Sequence, residues 1–374
     1  MSSPPITIVG AGLAGLTLGR CLKARGVSTQ LLERASSTLI YNYGITLHQW
    51  TYQPLLNVLN MDESLFRSKV AVDASQGGTG ALSRPLEGSV SSGAFRCHRG
   101  RLEAMLREGL DIKWEHPVES VEASSQNIKT SVQNGDSINS DTIVGSDGVH
   151  SQVRKSSASW IEPKVLPYVV FHGTRKMAVD EYQYVLAPYM KGCAVIQSRH
   201  EDAMLEIAIN DYDETGIHIG YTYSRPAHQN DSLHKPDRPI SGASDIPEDF
   251  YVELGGLKAL EEPFAQIFSA SKVRHDRISH WLMRSSLPKE DDIKNLTARG
   301  VLLIGDAIHA MPILGGEGGN MAIRDGINLA EHLAEHGFSC IRYFYEGRYP
   351  IWRQAVENSE KTLSDMHTPV KPLL

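Results

Sequence analysis

Short apolar runs broken by glycine open the chain. Residues 6–10 (ITIVG) form a β-branched apolar run of strand length. Residues 13–25 carry Leu13, Leu16 and Ala24 with further apolar residues between them, which predicts a helix with a buried face, and Gly26 suits its C-terminal cap. Residues 28–33 (STQLLE) predict a second strand that ends on an acid. Together these make a βαβ unit of the usual ~30 residues. The pattern is less regular over 37–93, with a helix expected near 54–60 and a Gly/Ser-rich stretch at 75–93. An amphipathic helix follows at 99–108. Strands are predicted near 112–122, 127–133 and 141–145, with Asn134-Gly135 as a hairpin turn.

The texture changes over 165–280, which is rich in Tyr, Val, Ile and His and shows little helical periodicity before 245. Several antiparallel strands are expected there, then a helix near 257–270. The Pro-, Gly-, Ser- and Asp-bearing stretch 226–247 reads as a surface excursion. Residues 301–305 (VLLIG) give another buried strand. A long helix over 319–336 follows, with Ile323, Ile327, Ala330 and Ala334 on one face. The order implies an α/β fold: a Rossmann-like domain with an inserted, mostly antiparallel sheet. The expected boundaries are 1–74, 94–164 and 281–374 for a discontinuous cofactor domain, and 75–93 with 165–280 for a substrate domain.

Composition narrows the classes. At 374 residues, two domains fit the usual ~150 residues per domain. A net charge of −7 disfavours general nucleic-acid binding. Cys21, Cys97, Cys193 and Cys340 are scattered, so neither a metal site nor a disulfide framework is expected. The N-terminus lacks a basic region followed by an apolar core, and no apolar run approaches the ~20 residues of a membrane span. A cytoplasmic protein without a transmembrane segment is the expectation. Glycine is the one excess, about 9% against a typical ~7%.

The glycines cluster where chemistry would need them. Gly10-x-Gly12-x-x-Gly15 lies between a predicted strand and a predicted helix. The first glycine permits a tight turn, the second lets backbone approach a pyrophosphate, and the third lets helix and strand pack closely. The helix start then offers free N–H groups to the anion. Glu33, ending the second strand, can accept hydrogen bonds from both ribose hydroxyls of an adenosine. This pattern serves FAD and NAD equally. Farther on, Asp306 follows a buried strand and Gly305, well placed for a polyol such as ribityl. After it, residues 311–320 (MPILGGEGGN) hold four glycines in five positions before the long helix. A loop so bare lets backbone N–H groups reach a flat ring, and a helix start favours negative charge developing on it. That points to a flavin as the tightly held cofactor.

With these motifs in order, the sequence resembles the single-component FAD-dependent monooxygenases of the p-hydroxybenzoate hydroxylase type, and most closely salicylate-hydroxylase-like members found in fungi. Gly10, Gly12, Gly15 and Glu33 look like the adenosine-diphosphate site. Residues 145–154 (GSDGVHSQVR), centred on Asp147, look like the Asp-Gly motif associated with FAD and the passing NAD(P)H. Arg99 resembles the flavin-contacting Arg-x-x-Leu, and Gly44 lies where the family's chain passes the flavin. Asp306, Pro312, Gly318 and Gly319 correspond to the ribityl and ring site. The resemblance covers nearly the whole chain apart from most of 165–280. It implies an enzyme in which NADPH or NADH reduces FAD, oxygen adds at flavin C4a, and the hydroperoxide gives one oxygen atom to an aromatic or polycyclic small molecule, often in secondary metabolism. A flavoprotein of the same fold acting as a dehydrogenase or cyclase, and a non-catalytic dinucleotide-binding protein, are the rival readings.

Two departures stand out. The family often has Gln or a similar residue at Glu317, where a carboxylate would repel a reduced flavin, so Glu317 is expected to point away or be paired. The chain also lacks the C-terminal extension of the phenol-hydroxylase branch. For the substrate side, His48, His172, Arg175, Tyr184 and Gln197 are polar candidates, with Arg175 the best because a guanidinium can orient an oxyanion. His309 reads as a local hydrogen-bonding residue. Substrate identity, regiochemistry and oligomeric state are not legible.

Overall fold

Short, almost wholly apolar strands pair in parallel to build the first layer, and their lack of polar alternation is what burial of a parallel sheet requires. The computed structural model describes residues 5–38, 41–82, 93–124, 127–315 and 317–368. Five strands run in the order Val301–Leu303, Ile143–Gly145, Ile6–Val9, Thr29–Leu32 and Ile112–Lys113, every pairing parallel. The helices Leu13–Ala24 and Gly318–His336 cross against this sheet. They approach so closely that a Cβ on Gly326 would lie 2.8 Å from Ala14 O and Leu18 N. A three-stranded antiparallel sheet, Val118–Ala123, Ile128–Val132 and Ser137–Ser140, adds Val121, Ile128 and Val132 to the same core.

The second layer is an antiparallel sheet in the order Val195–His200, Ala203–Asp213, Gly216–Pro226, Tyr168–Met177 and Arg277–Trp281. Alternation divides its two faces. Phe171, Ile207, Ile219, Tyr221 and Tyr223 point into a core of their own with Phe250 and Phe268. The intervening residues face the other way, toward the cofactor layer.

Two helical stretches differ from the sequence expectation, and a third lies outside it. The helix expected at 257–270 lies earlier, at Glu248–Gly256, because Pro247 and the acids Glu248 and Asp249 favour a helix start there. Pro263 and the loop before it leave only single turns at Phe264–Ile267 and Ala270–Val273. Within the region expected to be strand, Val179–Val185 is helical, opened by Asp180 and Glu181. The third is a 27-residue helix, Ile341–His367, that runs through Pro350. Proline reads as a stop, yet Phe344, Tyr345, Trp352, Val356 and Leu363 are buried along this helix and hold it to both layers. Among the described residues no helix is long and apolar enough to cross a membrane.

One buried carboxylate ties these pieces together. Asp325, fully buried in the Gly318–His336 helix, accepts through Oδ2 from the Gly305 N–H at 2.9 Å and pairs with His309 Nε2 at 2.5 Å. Its Oδ1 accepts from Arg348 Nη2 at 2.7 Å and from the Trp352 indole at 2.8 Å. His309, opposite the carboxylate, and Arg348 outweigh the burial that disfavours its charge, and hold its pKa at about 2. The stabilisation is therefore complete above the ordinary carboxyl value near 3.8 and is withdrawn as the pH falls from there toward 2. Replacing Asp325 by Asn is expected to lower unfolding free energy by about 3–5 kcal/mol, because Arg348 stays buried without its anion. Denaturant titration checks it; a loss below about 1 kcal/mol would contradict the hub.

Candidate cofactor site

Three loops leave the carboxyl ends of neighbouring parallel strands, the position where open α/β sheets bind ligands. They are the turn at 10–12, the loop at 146–151 and the loop at 304–309. Gly10 has φ +102°, and a Cβ there would lie 2.6 Å from Ser146 O. A Cβ on Gly15 would lie 2.0 Å from Gly10 O, so only glycine lets helix and turn meet. The Ser146 hydroxyl sits 2.9 Å from both the Val9 and Gly10 carbonyls and braces the turn from the next strand. The following helix, Leu13–Ala24, has no side-chain cap and no acid in its first turn, and the same is true of Gly318–His336. Both helix starts therefore present unsatisfied N–H groups.

Glu33 accepts from the Ala11 N–H at 2.7 Å and the Ala35 N–H at 2.8 Å. It lines a cleft of about 90 Å³ with Gly12, Arg99, Glu103 and Trp114. Arg99 forms the far wall. Its Nε donates to Glu103 at 2.8 Å, it donates to the Tyr43 hydroxyl, and it lies 4.3 Å over the Tyr41 ring. A Cβ added to Gly12 would come 3.9 Å from Arg99 Nη2, so guanidinium and glycine turn face each other.

Asp147 caps the helix Gln152–Ser157, accepting from Gln152 N at 2.6 Å through Oδ2. Its Oδ1 is buried without a hydrogen-bond partner. Arg154, also buried, joins the second loop to the third: Nη1 donates to Ala307 O and Nη2 to Val149 O, each at 2.6 Å. Asp306 makes no side-chain hydrogen bond to a described residue, and burial pushes its carboxyl pKa up. Its Oδ1 would lie 3.6 Å from a Cβ on Gly318, so the acid faces the start of the second helix.

The glycine-rich loop divides its work. Pro312 is buried and begins the single turn Ile313–Gly315. Gly315 packs on the C-terminal helix, where a Cβ would lie 2.8 Å from Ser359 Cβ. Gly316 lies outside the described residues. Gly319 has only Leu13 and Ile45 near a would-be Cβ, at 3.4 and 3.9 Å. Glu317 pairs with the buried His48, Oε1 to Nε2 3.3 Å. Asn320 fastens the segment beside it, accepting from His48 N and donating to Thr46 O, each at 3.0 Å. Gly44, at the start of that segment, donates to Asn210 Oδ1 of the antiparallel sheet at 3.0 Å.

The substrate-side candidates separate. Arg175 is corrected: it projects from the face turned away from the cofactor loops. There Asp276 takes it at 2.6 Å and Ile267 O accepts from Nη2 at 3.0 Å, so its donors are committed to structure. Tyr184 is exposed on its helix, and Gln197 donates to Glu206 at 2.7 Å. His172 does face inward, stacked on Trp281 with centroids 4.2 Å apart, its Nδ1 3.0 Å from Thr222 Oγ1. His309 belongs to the Asp325 cluster. Sequence reasoning gave no role to Ser146, Arg154, Asn320, Asp325 or Arg96. For Asp325 a signal existed: it occupies the buried register of Ala322 and Leu329, where a charge needs partners.

The donor set fits a flavin dinucleotide. Two uncapped helix starts suit phosphate and a ring edge, an acid able to meet a ribose lines the first cleft, and the half-buried Asp306, without a side-chain hydrogen bond among the described residues, suits sugar hydroxyls. Among the described residues no cluster of His, Cys, Asp or Glu could hold a metal ion.

Comparison with known proteins agrees with that chemistry. The family model described as FAD binding domain matches residues 4–167 and 265–337. The FAD-dependent monooxygenase aptC of Emericella nidulans is 30% identical, over 98% of this chain and 96% of its own. The FAD-dependent monooxygenase vrtH of Penicillium aethiopicum is 29% identical over 98% and 93%. In fold, an FAD-containing monooxygenase from Photorhabdus luminescens superposes with TM-score 0.72 over 98% of both chains, at 21% identity. The chain belongs to the FAD-binding-domain family, as an FAD-dependent monooxygenase of the p-hydroxybenzoate hydroxylase type.

Proposed function

We propose that this monooxygenase draws its electrons from NADPH or NADH and hydroxylates or epoxidises an aromatic or polycyclic small molecule of secondary metabolism. The observation that supports this reading most directly is the half-exposed aromatic wall opposite the cofactor loops. Trp281, stacked on His172, and Leu314 of the glycine-rich loop pack against the same small core of Val170, Met283 and Leu363. A planar substrate laid on that wall would lie against the loop that receives the flavin ring. Bound FAD supplies the redox and oxygen-activating chemistry; the chain supplies position, charge and exclusion of water.

The residues divide that task. Backbone at Gly10, Gly12 and Gly15 would receive the pyrophosphate at the first helix start, and Glu33 the ribose. Arg99 would close over the adenosine side, and Asp147 would complete the wall between them. Asp306 would hold the ribityl hydroxyls, which satisfies a carboxyl that burial otherwise pushes toward its protonated form. Pro312, Gly318 and Gly319 would flank the ring, with the second helix start placed for charge developing there. The His48 partner answers the expected problem of Glu317: a paired carboxylate repels a reduced ring less than a free one.

Three outcomes test the reading. The purified protein should be yellow; with its substrate it should consume O2 and NAD(P)H and give a product heavier by one oxygen atom. Product formed without added oxygen would favour the dehydrogenase or cyclase alternative. Glu33→Ala should raise the FAD Kd about tenfold or more, the worth of charge-assisted hydrogen bonds, as read by flavin fluorescence; an unchanged Kd removes the ribose role. Arg175→Met should leave KM and kcat nearly unchanged yet lower the unfolding free energy by about 3–5 kcal/mol, because Asp276 keeps its burial and loses its cation.

A further inference from the structure

Arg96 is the anomaly of the interlayer space. It lies on the strand Phe95–His98, paired with Gly44–Leu47 in the register Thr46↔Arg96. Phe95 and Cys97 point into the cofactor-layer core, so Arg96 points to the other side, toward the antiparallel sheet. Its Nε is buried and has no hydrogen-bond partner. Among the described residues its side chain makes one hydrogen bond, a long one, Nη1 to Thr46 Oγ1 at 3.5 Å. Among the described residues no carboxylate pairs with it. A Cβ on Gly44 would lie 2.6 Å from that Nε, so the guanidinium is pressed against the segment that borders the cofactor loops. Burial pulls its pKa down, and Glu206 offsets this only in part.

The sheet opposite it is organised in register. His172 pairs with Thr222, Thr222 with Glu206 and Glu206 with Gln197 across four adjacent strands, which puts all four side chains in one row on the inward face. Arg96 reaches this row electrostatically: together with burial it brings the His172 imidazole down to about 4, so His172 is neutral at physiological pH. Thr46, Arg96, His172, Glu206 and Trp281 are all half-exposed although each lies between the two layers. They line the interface between the two layers and keep partial solvent access there. A cation kept there without a counter-ion is destabilising unless a ligand supplies one.

We propose that Arg96 is a substrate-recognition residue that takes an oxyanion carried on a planar aromatic ring, a phenolate or a carboxylate, with His172 and the Trp281 face holding the ring beside it. The inference rests on the substrate space proposed above. It adds that the substrate binds as an anion and names the group that reads the charge.

The test uses the flavin-loaded enzyme, its Arg96→Met and Arg96→Lys variants, and three probes in equilibrium dialysis: 7-hydroxycoumarin, whose phenol ionises near neutral pH, its neutral ether 7-methoxycoumarin, and 2-naphthoate. The wild type should bind at least one anion about tenfold or more tightly than the ether. Preference for hydroxycoumarin identifies a phenolate and preference for naphthoate a carboxylate. Arg96→Met should erase the preference, Arg96→Lys should keep part of it, and the FAD Kd should stay within about twofold of wild type in both. Because the charge has no partner, Arg96→Met should melt no lower than wild type. The proposal is overturned if the wild type binds neither anion better than the ether, if the Met variant keeps the preference, or if that variant loses FAD affinity or melting temperature instead. A colourless wild-type protein that still prefers an anion would sink the flavin reading and leave the Arg96 assignment standing.

Discussion

The Asp325 carboxylate is the contact on which the cofactor loops depend. It is wholly buried, and four residues from two segments converge on its two oxygens. Gly305 N and His309 belong to the loop that carries Asp306, while Arg348 and Trp352 belong to the C-terminal helix. The carboxylate thus fixes the height of the third loop relative to the second helix start. Arg154 then sets the second loop against the third through Ala307 O, and Ser146 sets the first against the second through Val9 O and Gly10 O. The chain of bonds is continuous from the C-terminal helix to the first glycine turn. Loops held this way can present bare backbone without collapsing onto one another, which a backbone-built ligand site requires.

Among the described residues, hydrogen bonds hold the second sheet to the first layer toward both of its ends. At one end Gly44 donates to Asn210, and Arg101 and His98 both meet Asp211, the latter at 3.5 Å. At the other end the C-terminal helix reaches across, with His367 2.9 Å from Ser224 Oγ and the Asp365 carbonyl accepting from Arg199 at 3.1 Å. Leu363, Val170 and Met283 make a small core beneath that crossing. The row of His172, Thr222 and Glu206 lies between the two ties.

Much of this was legible because short-range rules carried it. The turn at Gly10 to Gly15 demands glycine for steric reasons that a strand-turn-helix pattern exposes directly, and the 319–336 periodicity gave the long helix to within a residue. Long-range pairing was not legible. Arg175 looked like a pocket cation until register placed Asp276 beside it on the outward face. Nothing local distinguishes it from Arg96, on a strand four residues long whose orientation is set by its partner Gly44–Leu47. The C-terminal helix runs through Pro350 because its apolar residues are buried against both layers, and that burial, which outweighs a local helix breaker, exists only in the folded chain.

Charge distribution in the interlayer space sharpens the contrast between those two arginines. Several acids at the cofactor loops face donors or a helix start within the chain. Glu33 takes two backbone N–H groups, Glu103 takes Arg99, Glu317 takes His48, and Asp306 faces a helix start. On the outward face Arg175 has Asp276, and Arg225 has Asp231 with Glu253. Where an arginine serves the fold, this chain supplies an acid at ion-pairing distance, as at Arg175 and Arg225, or a set of carbonyl acceptors, as at Arg154. Arg96 has none among the described residues, so a purely structural role leaves its charge unexplained. A desolvated guanidinium at the interface between the layers is a preorganised receptor for negative charge, and its effective attraction is larger there than in water because few solvent dipoles compete. The same desolvation that weakens the folded protein at this point is what would let it discriminate an ionised ring from its neutral analogue.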